Sequence, residues 1–225
     1  TVMSIAIIVI AVIMIFVIPT FAGMFADFGG ELPAPTQFVI SLSNFLVKYI
    51  IVILVAIVAV TFLFKKYYAT EKGRRIIDRL ALRAPVFGLL IRKVAVAKFT
   101  RTLGTLVSSG VPILDGLDIV AKTAGNKVVE EAIMKVRQSI SEGKTIAEPL
   151  QQGEVFPPMV VQMIAVGEAT GAMDAMLSKI ADFYDDEVDD AVAAMTAMLE
   201  PMLMVFLGVT VGGLVIAMYL PIFKI

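Results

Sequence analysis

The amino-acid sequence predicts an all-α membrane protein built from three transmembrane helices and one cytoplasmic antiparallel six-helix bundle. Three observations carry this expectation. Hydrophobic residues make up 59% of the 225 positions, against roughly 45–50% in soluble proteins, and the excess is gathered into three runs near the two ends. Lys and Arg crowd one side of the second run and are missing from the other. Between the second and third runs, Gly and Pro recur at helix-length intervals without sustained period-two alternation, which argues against strands.

The first run covers residues 2–25. A helix of about 20 residues crosses ~30 Å of hydrocarbon, so the run suffices, and Pro19 is expected to kink its outer end. The second covers residues 38–64, with its purest stretch, YIIVILVAIVAVTFLF, at 49–64 and Lys48 placed to reach the interface. Between them, ADFGGELPAPTQ (26–37) holds Asp27 and Glu31 and no base. Residues 65–101 hold 11 bases against two acids, Glu71 and Asp78. The positive-inside rule puts that basic segment in the cytoplasm, and with it the N-terminus, leaving the short loop and Lys224-Ile225 outside. The third run, residues 202–221, is entered through Glu200 and Pro201.

Three domains follow: a membrane hairpin with a short external loop (1–64), a cytoplasmic bundle (65–192), and a third membrane helix with the C-terminus (193–225). Thr1 leads straight into apolar sequence without a basic leader region or cleavage site. The chain is therefore expected to be part of a longer protein.

Within the bundle, Gly110 stops one helix and Pro112 starts the next. Gly125-Asn126 and Gly143 close two more. Thr145 and Glu148 fit a capping box. Phe156-Pro157-Pro158 opens a helix that Gly171 stops, and the last helix runs from about Met173 toward the membrane. On it, Met173, Leu177, Ile180, Tyr184, Val188 and Ala191 share one face. Asp182, Asp185, Asp186, Glu187, Asp189 and Asp190 occupy much of the rest.

The chemistry available is narrow. The chain has no Cys and no His, which removes thiol nucleophiles, Cys-ligated metal and the commonest general base. No catalytic residue, cofactor or metal ligand is assigned. Gly143-Lys144-Thr145 resembles the end of a phosphate-binding loop, but the required Gly is Gln138 here. The basic segment, beside a span, suits the lipid bilayer and its anionic headgroups rather than nucleic acid. Asp182, Asp185, Asp186 and Asp189 form a solvated face, a surface for a basic partner, or a cation site. Gly208, Gly212 and Gly213 suit close helix packing within the bilayer, expected between copies in a homo-oligomer.

Three blocks resemble a known family: KFTRTLGTLVSSGVPILDGL (98–117), FPPMVVQMIAVGEATGAMDAMLSKIADFY (156–184) and EPMLMVFLGVTVGGLVIAMYLPIF (200–223). They are similar to the type II secretion F family, the inner-membrane platform proteins of type IV pilus and type II secretion machines. FADFGGELPAPT (25–36) fits the family's first loop, and AMYLPIFK (217–224) is nearer the pilus branch. Members carry two copies of the helical domain, and this chain has only the second.

The resemblance implies a non-enzymatic platform in the bacterial inner membrane. Its partners would be a cytoplasmic hexameric ATPase, the pilin subunits it inserts or extracts, and other inner-membrane pilus machinery. The motif positions carried over are Gly110, Pro112, Phe156, Pro157, Gly167, Glu168 and Gly171, in fold-maintaining or partner-contact roles. Glu168 either pairs with a base on a neighbouring helix or caps a helix N-terminus. Two alternatives stay open: a type II secretion platform, and a transporter permease subunit, which the scarcity of polar groups in the spans disfavours.

Overall fold

A computed structural model describes residues 2–27, 33–153 and 155–220. Glu31 and Lys224-Ile225, assigned above to the outer side, lie outside the described residues, as does the side chain of Asp27. The described residues are all-helical, without strands, and three helical stretches are long and apolar enough to cross a membrane: Met3–Met24, Ala34–Tyr68 and Met173–Tyr219. The chain divides into two units, Thr1–Leu63 with Met195–Ile225, and Phe64–Ala194.

In the first unit, α1 (Val2–Val12) continues through a π-helical turn (Ile13–Val17) into α2 (Ile18–Asp27). Pro19 sits inside this continuous stretch, and the backbone accommodates it by widening just before it. The Ile18 N–H donates to Ile13 O, five residues back. In that register the carbonyl of Met14 faces the nitrogen of Pro19, which has no hydrogen to give. The Ser43 hydroxyl, on α3 (Ala34–Tyr68), donates to the Met14 carbonyl instead. Thr36 makes a similar reach, from α3 to the Ala217 carbonyl at 2.5 Å. Each hydroxyl satisfies a carbonyl on another helix where no water is at hand. Around them Met14, Ile18 and Leu214 are buried. Most other large apolar side chains of the spans, such as Ile51, Val58 and Val205, face outward, as lipid requires.

The second unit contains α4 (Glu71–Arg83), α5 (Phe87–Ser108), α6 (Ile113–Thr123), α7 (Lys127–Ser141), α8 (Ala147–Gln151), α9 (Pro158–Thr170) and the first part of α10 (Met173–Tyr219). These are seven helical segments among the described residues, where the pattern suggested six. The extra break falls at Ala84-Pro85. Ala84, as the residue before a proline, is pushed to extended backbone (φ −60°, ψ 135°). A single core binds the segments, with Phe99, Leu103, Leu117, Ile133, Leu150, Ile164, Leu177 and Ile180 all but sealed from solvent. Pro201 does not interrupt α10, which runs as one helix from Met173 to Tyr219.

Candidate functional site

The motif residues fall into a local set of helix ends and close contacts. Gly110 ends α5 with φ +81°, a region that a side chain disfavours. Its N–H donates to Val107 O at 2.9 Å and that of Val111 to Leu106 O at 3.0 Å, a Schellman closure. Pro112 then sits at the N-cap of α6, its carbonyl accepting the N–H groups of Asp115 and Gly116. Phe156 is buried edge-on against Phe99, with ring centroids 4.9 Å apart. Pro157 is the N-cap of α9.

Gly167, Glu168 and Gly171 act on three different neighbours. Gly167 lies where α9 crosses α10. A Cβ there would stand 3.1 Å from Met176 Cβ and 3.2 Å from Met173 Cα, so any side chain would have to push the neighbouring helix away by a few tenths of an ångström. Gly171 ends α9 with φ +75°. Glu168 turns back to the start of α8, and both its carboxylate oxygens accept the Ile146 N–H, at 2.9 and 3.0 Å. Glu168 thus meets a backbone donor beside α8, and no ion pair reaches it among the described residues. The same observation corrects the capping box expected at Thr145 and Glu148. The N-cap of α8 is Ile146, without a side-chain cap, and its free donor is met from α9.

The acidic face of α10 is partly engaged. Arg101 on α5 donates to Asp182 Oδ1 at 2.7 Å and to Asp185 Oδ2 at 2.5 Å. Hydrogen bonds to Asp185 and then Asp182 hold its guanidinium above its ordinary pKa. One turn pair further along, Lys93 meets Glu187 at 2.5 Å. Asp186 and Asp189 are exposed, and no ion pair reaches them among the described residues. No group of three potential ligands converges on a cation position among the described residues. Gly143 closes α7, and Lys144 Nζ lies 2.9 Å from Glu142 Oε2.

In the third span, Gly208, Gly212 and Gly213 are open, and a Cβ added at any of them meets nothing within 4 Å. At about 100° per residue, Gly208 and Gly212 share the side of α10 opposite the buried Leu214 and Ala217. Gly213 lies about 100° further round. The packing within this chain therefore uses a different face from the glycine pair.

Asp78 was not singled out by sequence and ties more elements together than any motif residue. Buried, it accepts the Lys127 N–H at 2.6 Å and the Tyr68 hydroxyl at 3.0 Å. Its own carbonyl accepts from Asn126 Nδ2 at 3.3 Å. Asn126 Oδ1 in turn caps α7 through the N–H groups of Val128 and Val129. The available signal was an acid in the middle of the most basic helix of the chain.

Comparison with known proteins covers both units. Residues 99–221 match the family described as Type II secretion system (T2SS), protein F. The chain is 59% identical over 224 residues to the type IV pilus assembly protein PilC of Myxococcus xanthus, a match covering 100% of this chain and 54% of that protein. To the protein of the same name from Thermus thermophilus it is 52% identical over 210 residues, covering 93% of this chain and 52% of the relative. With the type II secretion system protein F of Vibrio cholerae, identity falls to 31% over 216 residues, covering 96% and 53%. The chain spans about half the length of the curated relatives it matches.

Proposed function

The chain belongs to the type II secretion system protein F family, and from that premise we propose that it works as a non-enzymatic inner-membrane platform of a type IV pilus assembly machine. The observation that carries the reading is the 59% identity to a pilus assembly protein across both membrane and helical units, against 31% for a secretion protein F. In this reading residues 64–194 form a cytoplasmic antiparallel bundle, and the short loop after the first span lies outside. A cytoplasmic hexameric ATPase supplies the ATP chemistry. The platform couples that work to the insertion or extraction of pilin subunits beside the spans, alongside other inner-membrane pilus proteins. Helices α3 and α10 each pass from one unit into the other without a break, so displacement of the bundle has a covalent, helical route into the bilayer. The open face of Asp186 and Asp189 suits a basic partner surface.

Deleting the gene in the source bacterium and imaging surface pili tests the reading. Pili are expected to vanish while pilin remains in the membrane, and a plasmid copy should restore them. Loss of secreted enzymes with pili intact would move the protein to the secretion branch. Intact pili and intact secretion would overturn both.

A further inference from the structure

Helix α4 and the start of α5 combine two surface properties found together nowhere else among the described residues of the second unit. The first is uncompensated positive charge. A cleft of about 530 Å³ is lined by Arg75, Arg79 and Arg83 of α4, Arg92 of α5 and Lys135 of α7. Among the described residues Glu131 is the one acid lining it, and Arg75 holds it at 3.0 Å. Among the described residues, Arg79, Arg83, Arg92 and Lys135 have no acidic partner. The second property is apolar exposure. Between residues 71 and 194, the five most exposed large apolar side chains are Leu80, Leu89, Phe87, Ile76 and Val86, and Leu80 reaches 70%. Ile76 and Leu80 stand among Lys72, Arg75, Arg79 and Arg83 on one surface.

Cations alone suit any polyanion. Large aliphatic side chains standing among them gain nothing from a nucleic-acid backbone. A membrane interface accepts both, phosphates against the bases and acyl boundary against the aliphatics. Chain connectivity places α4 near such a surface. The apolar part of α3 ends at Phe64, and at 1.5 Å per residue Tyr68 lies about 6 Å beyond it, within a Debye length of about 8–10 Å. Three residues later α4 begins, and the Tyr68 hydroxyl holds Asp78, in the middle of α4, at 3.0 Å. This bond ties the middle of α4 to the last residue of α3.

We infer that residues 72–92, together with Lys135, form a docking surface for anionic phospholipid, with headgroup phosphates held by Arg79, Arg83, Arg92 and Lys135 and with Ile76, Leu80 and Phe87 seated in the interface. The inference rests on the assignment of the spans and is independent of the pilus reading. It gives the bundle a second attachment to the bilayer besides its covalent helices.

The chain contains no Trp, so one introduced indole reports cleanly. The full chain carrying Leu80→Trp, reconstituted at low protein density into vesicles containing brominated phosphatidylglycerol, is compared with Ile119→Trp, an exposed site on α6. Quenching at position 80 is expected to exceed that at 119 by about two-fold or more. It should fall in all-phosphatidylcholine vesicles and in an Arg79→Gln/Arg83→Gln background. Thermal melting checks that this background is folded, and Lys72→Gln/Arg83→Gln replaces it if it is not. Equal quenching at 80 and 119 would overturn the proposal. So would quenching indifferent to lipid charge and to the Gln substitutions. A blue-shifted, unquenched Trp that depends on protein density would assign the surface to a second copy instead.

Discussion

Glu168 shows how one side chain's role is settled by what lies beyond its own helix. Its spacing from Gly167 and Gly171 marks it as unusual, yet the N–H that it accepts belongs to Ile146, 22 residues earlier. Glu168→Ala leaves that donor unmet in a half-buried place, and capping losses run about 1–2 kcal/mol. Urea unfolding of the chain in detergent should show a loss of this size, with Glu168→Gln, which keeps an acceptor, losing less. Unchanged stability in both variants would reassign the residue to a partner contact. Ser43 presents the same logic inside the spans. Its hydroxyl meets the Met14 carbonyl that Pro19 leaves without a donor. Ser43→Ala should cost about 1 kcal/mol, the scale of interhelical hydrogen bonds in membranes. In a Pro19→Ala background the new N–H can take that carbonyl, so the penalty should shrink. A double-mutant cycle measures the difference, and strict additivity would refute the pairing.

At the scale of elements, the bundle depends on helices approaching at small residues. Gly104 on α5 faces Leu177, where a Cβ would stand 3.3 Å from the Leu Cβ, and Gly167 on α9 faces Met173 and Met176 still more closely. Gly167→Ala must push against a backbone atom, Met173 Cα, which cannot rotate aside. The cost expected for such overpacking is about 1–3 kcal/mol, read as a shift in the urea midpoint. Val166→Ala, one position away at an exposed site, should stay within about 0.5 kcal/mol. Equal effects at the two positions would mean that the α9–α10 approach does not limit stability. The Arg101 pairs with Asp182 and Asp185 also join elements, but they are solvent-exposed, and such pairs typically contribute about 0–1 kcal/mol. They orient α5 against α10 more than they stabilise either.

For the whole molecule, the consequential surface is the glycine face of the third span. Leu214 and Ala217 serve the contact within the chain, and Gly208 and Gly212 lie on the other side with nothing against them. In lipid, attraction between helices depends on close backbone approach at small residues. Replacing both glycines with Leu is therefore expected to leave insertion and the melting of the bundle unchanged. Self-association in a membrane two-hybrid assay should drop, and pilus assembly with it. Crosslinking between chains at position 209 should likewise be lost. Association that survives the double substitution would place the contact between copies elsewhere.

The sequence by itself determined the number of spans, the all-helical class and most helix ends. These follow from local quantities: the length of apolar runs, the backbone limits of Gly and Pro, and the distribution of charge along the chain. It placed Gly110, Pro112, Pro157 and Gly171 at helix boundaries, where the structure has them, because a φ restriction acts on the residue that carries it. It missed the break at Ala84-Pro85, which lies inside a long basic stretch without a second turn residue beside the proline. Tertiary structure alone decided which distant donors Glu168 and Asp78 satisfy, that Thr145 yields its capping role, and which side of the third span is used within the chain. Each of these joins atoms distant along the sequence, or depends on which side of a helix a neighbour occupies. Helical periodicity reports that a face exists and says nothing of what covers it. Buried donors and carbonyls must be paired, and the fold chooses the partner by distance in space.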